Sequence, residues 1–173
     1  MEKIKTFSKI LAFISLSALA IWIGSYLTRL FLVYQLFDGP DLNLQDFITE
    51  QNISGILTSI LPAILTHFLA YIVMFLMFLI FITTSKISLK ENGWLFIILV
   101  IVLVMAPFEI YLMTIDYKII TDLMRQNFDS NLIISMLRER IKVLSSYPIV
   151  AILSHISIFY FIIFQPLTKS DKN

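Results

Sequence analysis

The chain has 173 residues, of which 58% are hydrophobic and 14% charged, with a formal net charge of +1 and a mean hydropathy of +0.88. Soluble domains average about 45–50% apolar and about 25% charged residues, so this composition does not suit water as the main solvent. With no cysteine, 4 glycines and 5 prolines, a disulfide scaffold, a thiolate zinc site, a thiol redox enzyme and a collagen are excluded. The absence of a long charge run argues against a disordered tail or a nucleic-acid partner.

Four stretches reach the roughly 20 apolar residues that a membrane crossing needs, near 10–36, 56–83, 94–115 and 147–165. The first follows Lys3, Lys5 and Lys9 and contains Ala18-Leu19-Ala20, as a cleavable leader would. Its apolar run continues to Phe37, beyond the usual leader core, and reads as a retained anchor. Asp38-Gly39-Pro40-Asp41 then ends the helix, because proline lacks a backbone donor and its neighbours favour turns. In the second stretch, the run from Met74 to Phe81 is apolar on all sides and reads as lipid-facing helix.

Lys3, Lys5, Lys9, Lys86, Lys90, Lys169 and Lys172 fall at the two ends and in the 84–93 loop. The 37–55 loop carries Asp38, Asp41, Asp46 and Glu50 and no basic residue. Basic loops stay in the cytoplasm, so both termini are expected there. Trp94 and the tyrosines at 26, 34, 111, 117 and 147 stand near span ends, where amphipathic rings prefer the headgroup region. A bacterial plasma (inner) membrane is the expected location.

Between the third and fourth spans, 116–146 predicts two short amphipathic helices on the outer membrane face. Ile119, Ile120, Leu123 and Met124 mark the first. Ile133, Ile134, Leu137, Ile141 and Leu144, opposite Arg138, Glu139, Arg140 and Lys142, mark the second, with Asp129 or Ser130 as its cap. The expected fold class is an all-α integral membrane protein: one domain, 1–173, with a four-helix transmembrane bundle and a short amphipathic helical cap on the outer side.

Small residues mark faces on which membrane helices pack closely. Ser17, Ala20, Gly24 and Thr28 form such a face in the first span, Ser59, Ala63, Thr66 and Ala70 in the second, and Ala151, Ser154 and Ser157 in the fourth. The third span has none over Leu95–Met105, so the tight contacts are expected among the other three.

The chain's two histidines, His67 and His155, fall near the middle of the second and fourth spans. Two facing imidazoles can ligate a haem iron from opposite sides, with Arg29 near a propionate. The plainer reading is that each ring hydrogen-bonds a nearby serine, threonine or carbonyl. Two histidines alone make no other metal site, since structural zinc usually takes four ligands. Nearer the outer surface, Arg29 and Glu109 are natural partners, as an intramembrane ion pair or as a proton relay assisted by Tyr26, Tyr111 and Asp116. An unpaired charge at membrane depth costs about 1–3 kcal/mol on insertion scales. Pro107 would kink the third helix and aim the Glu109 carboxylate inward.

No phosphate loop, zinc-protease helix or serine elbow is present, and Asn52-Ile53-Ser54 is a chance glycosylation triplet abutting a span. The sequence therefore points to a non-enzymatic multi-pass membrane subunit or accessory protein. Its partners would be the lipid bilayer and other membrane subunits or further copies of itself. The alternatives are a b-type haem anchor of an electron-transfer complex, using His67 and His155, and a small transporter or proton-coupled protein using Arg29 and Glu109.

Overall fold

The computed structural model describes residues 6–125 and 127–169, and Glu2, Lys3, Lys5, Asp171 and Lys172 lie outside them. Among the described residues most of the chain is helical: α1 (Thr6–Tyr34), α2 (Ile53–Thr84), α3 (Gly93–Leu123), α4 (Ser130–Lys142) and α5 (Tyr147–Phe164). A two-stranded hairpin, β1 (Phe37–Asp38) and β2 (Asn43–Leu44), follows α1. α1, α2, α3 and α5 are each long and apolar enough to cross a membrane. An α-helix satisfies its own backbone polar groups, which lipid cannot do.

The chain leaves α1 through the hairpin, pairing Phe37 with Leu44 and Asp38 with Asn43. Gly39 takes the left-handed conformation there, with φ of +63°. α2 and α3 have 32 and 31 residues, so each is about 45–50 Å long, more than the roughly 30 Å of a bilayer core. Pro62 and Pro107 sit within them without ending either helix.

Two expectations are corrected. The segment 116–123 is not a separate amphipathic helix but the unbroken continuation of α3. Its apolar positions extend one buried stripe, from Leu95, Ile98 and Val102 through Ala106 and Leu112 to Ile119 and Leu123. The small-residue face of the first span is not the packed face: Ala20, Gly24 and Thr28 point outward, and a Cβ added at Gly24 would meet nothing within 4 Å. The buried face of α1 is the opposite one, Leu11, Ser15, Leu19, Trp22, Tyr26, Arg29 and Val33. α1 and α2 form the closest pairing, while α3 packs on both α2 and α5 despite lacking small residues, and α1 touches α5 only lightly.

The buried side chains form two clusters. One runs from Leu11 and Trp22 through Tyr71, Met74, Leu95 and Ile98 to Ala151 and Ile158. The other joins the end of α1, the hairpin, the start of α2, the end of α3 and the apolar side of α4. α4 is an independent amphipathic element. The Asp129 carboxylate accepts from the amides of Asn131 at 2.9 Å and Leu132 at 3.3 Å, capping it. Arg138 fastens it to the hairpin, donating from Nε to the Leu42 carbonyl at 2.9 Å. At the other end of the bundle, the segment after α5 clasps the start of α3: the Gly93 amide donates to the Leu167 carbonyl at 3.1 Å, and the Lys169 amide to the Glu91 carbonyl at 2.9 Å.

Candidate functional site

The structure gathers a charged triad where the last turns of α1, the second half of α3 and α4 converge. Asp116 lies seven residues after Glu109, on the same buried stripe of α3. Arg29 Nη1 reaches both Asp116 carboxylate oxygens at 2.7 Å. Arg140 enters from α4, its Nε at 3.3 and 3.4 Å from the same two oxygens. The Arg29, Asp116 and Arg140 side chains are 6%, 1% and 6% exposed, so none is held mainly by water. The Arg29 guanidinium also lies over the Tyr26 ring, 5.4 Å from its centroid, a cation–π contact. Burial works against the Arg140 charge, but Asp116, Tyr26 and Glu109 outweigh it, and the guanidinium is pushed above its ordinary value.

The Arg29–Glu109 ion pair expected from the sequence is not formed. Glu109 is 0% exposed, yet neither carboxylate oxygen has a hydrogen-bond partner among the described residues. The physical reason is the length of α3. Because the helix continues past 115, it presents a second carboxylate two turns further on, level with the end of α1, and Asp116 takes the guanidinium. Of the other groups assigned to a relay, Tyr26 is fully buried beside Arg29, and Tyr111 points out of the bundle at 51% exposure.

Below the triad, both histidines are fully buried, and both pack on one indole. The Trp22 ring lies with its centroid 4.4 Å from that of His155 and 5.7 Å from that of His67. Tyr26 meets His67 edge-on at 4.9 Å, and Tyr71 meets His155 at 6.5 Å. His155 Nδ1 lies 2.8 Å from the Ala151 carbonyl one turn back, so it donates the proton and Nε2 is the free acceptor. His67 has no partner at either nitrogen.

These residues do not fit a haem. Trp22, 0% exposed, fills the space against both imidazoles that a macrocycle would need, and Arg29, the proposed propionate partner, is committed to Asp116. Of the small residues on the same helices as the two rings, Ala70 and Ala151 are buried, while Ala63 and Ser154 are half-buried.

What the site offers instead is a column of buried polar groups without partners: Arg140 Nη2, Tyr26 Oη, both Glu109 oxygens, both His67 nitrogens, Trp22 Nε1, Tyr71 Oη and His155 Nε2. The great majority of buried polar atoms in proteins are paired, so such a concentration points to function rather than to support. The column does not run the length of the bundle. Towards the Leu167 clasp it meets a cavity of about 110 Å³ lined mainly by apolar groups such as Leu16, Leu19, Met74, Phe78 and Leu95, together with Trp94, whose buried Nε1 is also without a partner. The one serine there, Ser15, donates to the Met74 carbonyl at 3.1 Å.

Sequence reasoning placed Arg140 on the polar face of its helix and did not single out Trp22. The signal for Arg140 was present: it lies three residues after Leu137 and seven after Ile133, on the buried side of α4. No family model, no curated protein and no solved structure matches this chain.

Proposed function

We propose that the chain is a non-enzymatic four-span membrane protein of a bacterial plasma membrane, with both termini in the cytoplasm. Its work is done in its buried polar core, as a small proton-coupled or solute-handling protein. The observation that carries this reading is Glu109: a fully buried carboxylate with no partner, two helical turns from a carboxylate that holds two guanidiniums. A carboxylate at membrane depth that pairs with nothing is poorly explained as support, because a leucine of similar size would cost less. As a group that gains and loses a proton it has a use, and Tyr26, Tyr71 and His67 provide hydroxyl and imidazole groups for passing one.

The test is proton flux into liposomes carrying the purified protein and a trapped pH indicator. Flux that disappears in Glu109→Gln supports the reading, and flux equal to that of empty liposomes removes it. Orientation is tested separately: tags at both termini should be reached by a membrane-impermeant reagent only after the cells are opened.

A second reading, a membrane subunit within a larger assembly, is favoured by Ala20, Gly24 and Thr28, small residues at helical spacing that no other helix among the described residues covers. Cysteine crosslinking at position 24 in native membranes tests it, with a crosslinked partner or second copy as the supporting result.

A further inference from the structure

We propose that a cavity between Arg29 and Arg140 binds one compact monovalent anion, of the size of chloride or bromide, and that this anion and the ionised Glu109 carboxylate substitute for each other in balancing the buried charge. The proposal deepens the reading of the polar core by naming what it takes up. Its first half, anion binding, does not depend on proton movement.

The cavity has a volume of about 30 Å³ and is lined by Arg29, Leu30, Val33, Ile64, Leu137 and Arg140 among others. That holds roughly two water-sized occupants and is too tight for a bulky polyatomic ion. Its charged lining groups are both cationic, and Asp116 is not among them. Arg29 meets Asp116 through Nη1 alone and Arg140 through Nε alone, so each guanidinium keeps N–H donors outside the ion pair. Two guanidinium forks with donors to spare at the wall of a small cavity are a ready anion ligand.

The charge count supplies the second half. Arg29 and Arg140 bring two positive charges, and Asp116 returns one negative, leaving the triad with one positive charge in a region nearly closed to water. Two groups can balance it: the Glu109 carboxylate from below, or an anion in the cavity. The titratable and charged groups around Glu109 are Tyr26 and Arg29 on α1, His67 and Tyr71 on α2, Asp116 on its own helix, Arg140 on α4, and Tyr147 and His155 on α5. With the tyrosines and histidines neutral, no other carboxylate takes part. Asp116, which holds the two guanidiniums that line the cavity, is about 10 Å from Glu109 along the helix axis, so an anion on those guanidiniums stands on the order of 10 Å from Glu109. At that range and an effective dielectric near 20, one charge changes the occupancy of the other by about tenfold. Because linkage is reciprocal, anion binding must draw a proton onto the core.

The experiment uses the purified full chain in detergent with gluconate as the only anion, titrated with bromide in weak buffer while a dye reports pH. The expected result is a saturable rise in melting temperature with uptake of protons. In Glu109→Gln the bromide affinity should be about tenfold higher and proton uptake absent. In Arg140→Gln the bromide response should be lost. Should that variant not fold, wild-type crystals grown in bromide decide the matter, with an anomalous peak expected between the Arg29 and Arg140 side chains.

A response that does not saturate, or a crystal without that peak, overturns the proposal. So does stabilisation by an anionic phospholipid with none by bromide. Bromide binding without proton flux in liposomes leaves this proposal standing and removes the transport reading. Flux that depends on Glu109 with no bromide response does the reverse.

Discussion

Asp116 and Glu109 stand two turns apart on the same face of α3, and their surroundings are opposite. Asp116 receives Arg29 at 2.7 Å and Arg140 at 3.3 Å, while Glu109, equally enclosed, receives no hydrogen bond at all. One carboxylate holds three helices together, and the other is tied to none of them.

Substitution should therefore separate them. Asp116→Ala leaves two buried guanidiniums without their counter-charge and should cost about 3–5 kcal/mol, read as a large drop in melting temperature in detergent. Glu109→Gln removes no hydrogen bond and should stay within about 1 kcal/mol of wild type. Equal losses in the two variants would contradict the division of roles.

The Trp22 indole packs against both histidines. Trp22→Ala should destabilise the bundle by about 3–5 kcal/mol, the usual range for deleting a buried large aromatic. The wild-type protein, purified after haem-sufficient expression, should show no Soret band. A stoichiometric band would mean that the indole does not occupy the space described.

Removing the Asp129 cap tests how α4 is held. Asp129→Ala frees two amide donors and should cost about 1 kcal/mol. The loss should be seen as faster hydrogen exchange confined to the first turn of α4.

At the opposite end, a Cβ on residue 93 would come within 2.8 Å of the Leu167 Cβ and 3.1 Å of its carbonyl. Leu167 is 71% exposed, so the chain after α5 can yield where a core could not. Gly93→Ala should leave the melting temperature nearly unchanged and speed proteolysis after Gln165.

Much of the fold was legible because apolar length is a strong signal: four helices long and apolar enough to span a membrane coincide closely with four runs in the sequence. Packing was less so. Small residues mark faces able to approach closely, but α1 turns its bulky Trp22 and Tyr26 inward and its Gly24 outward. The candidate site was half visible. Arg29 and Glu109 stood out as charges inside apolar runs. Asp116 was treated as lying just past the end of a span, and Arg140 was grouped with charged neighbours that face solvent. The first error came from ending α3 by composition, when its buried stripe runs on to Leu123; the second came from assigning Arg140 to the polar face by its charge, when it lies on the buried side of α4.

The unbroken course of α3 has a mechanical result. Its 31 residues form one helix roughly 46 Å from end to end. Asp116 towards one end is bolted to α4 through Arg140, and Gly93 at the other is tied to the segment after α5. The outer helix and the tail of the bundle are thereby moored to one continuous helix, and Pro107, which lacks a backbone donor, is the point along it where that helix can bend.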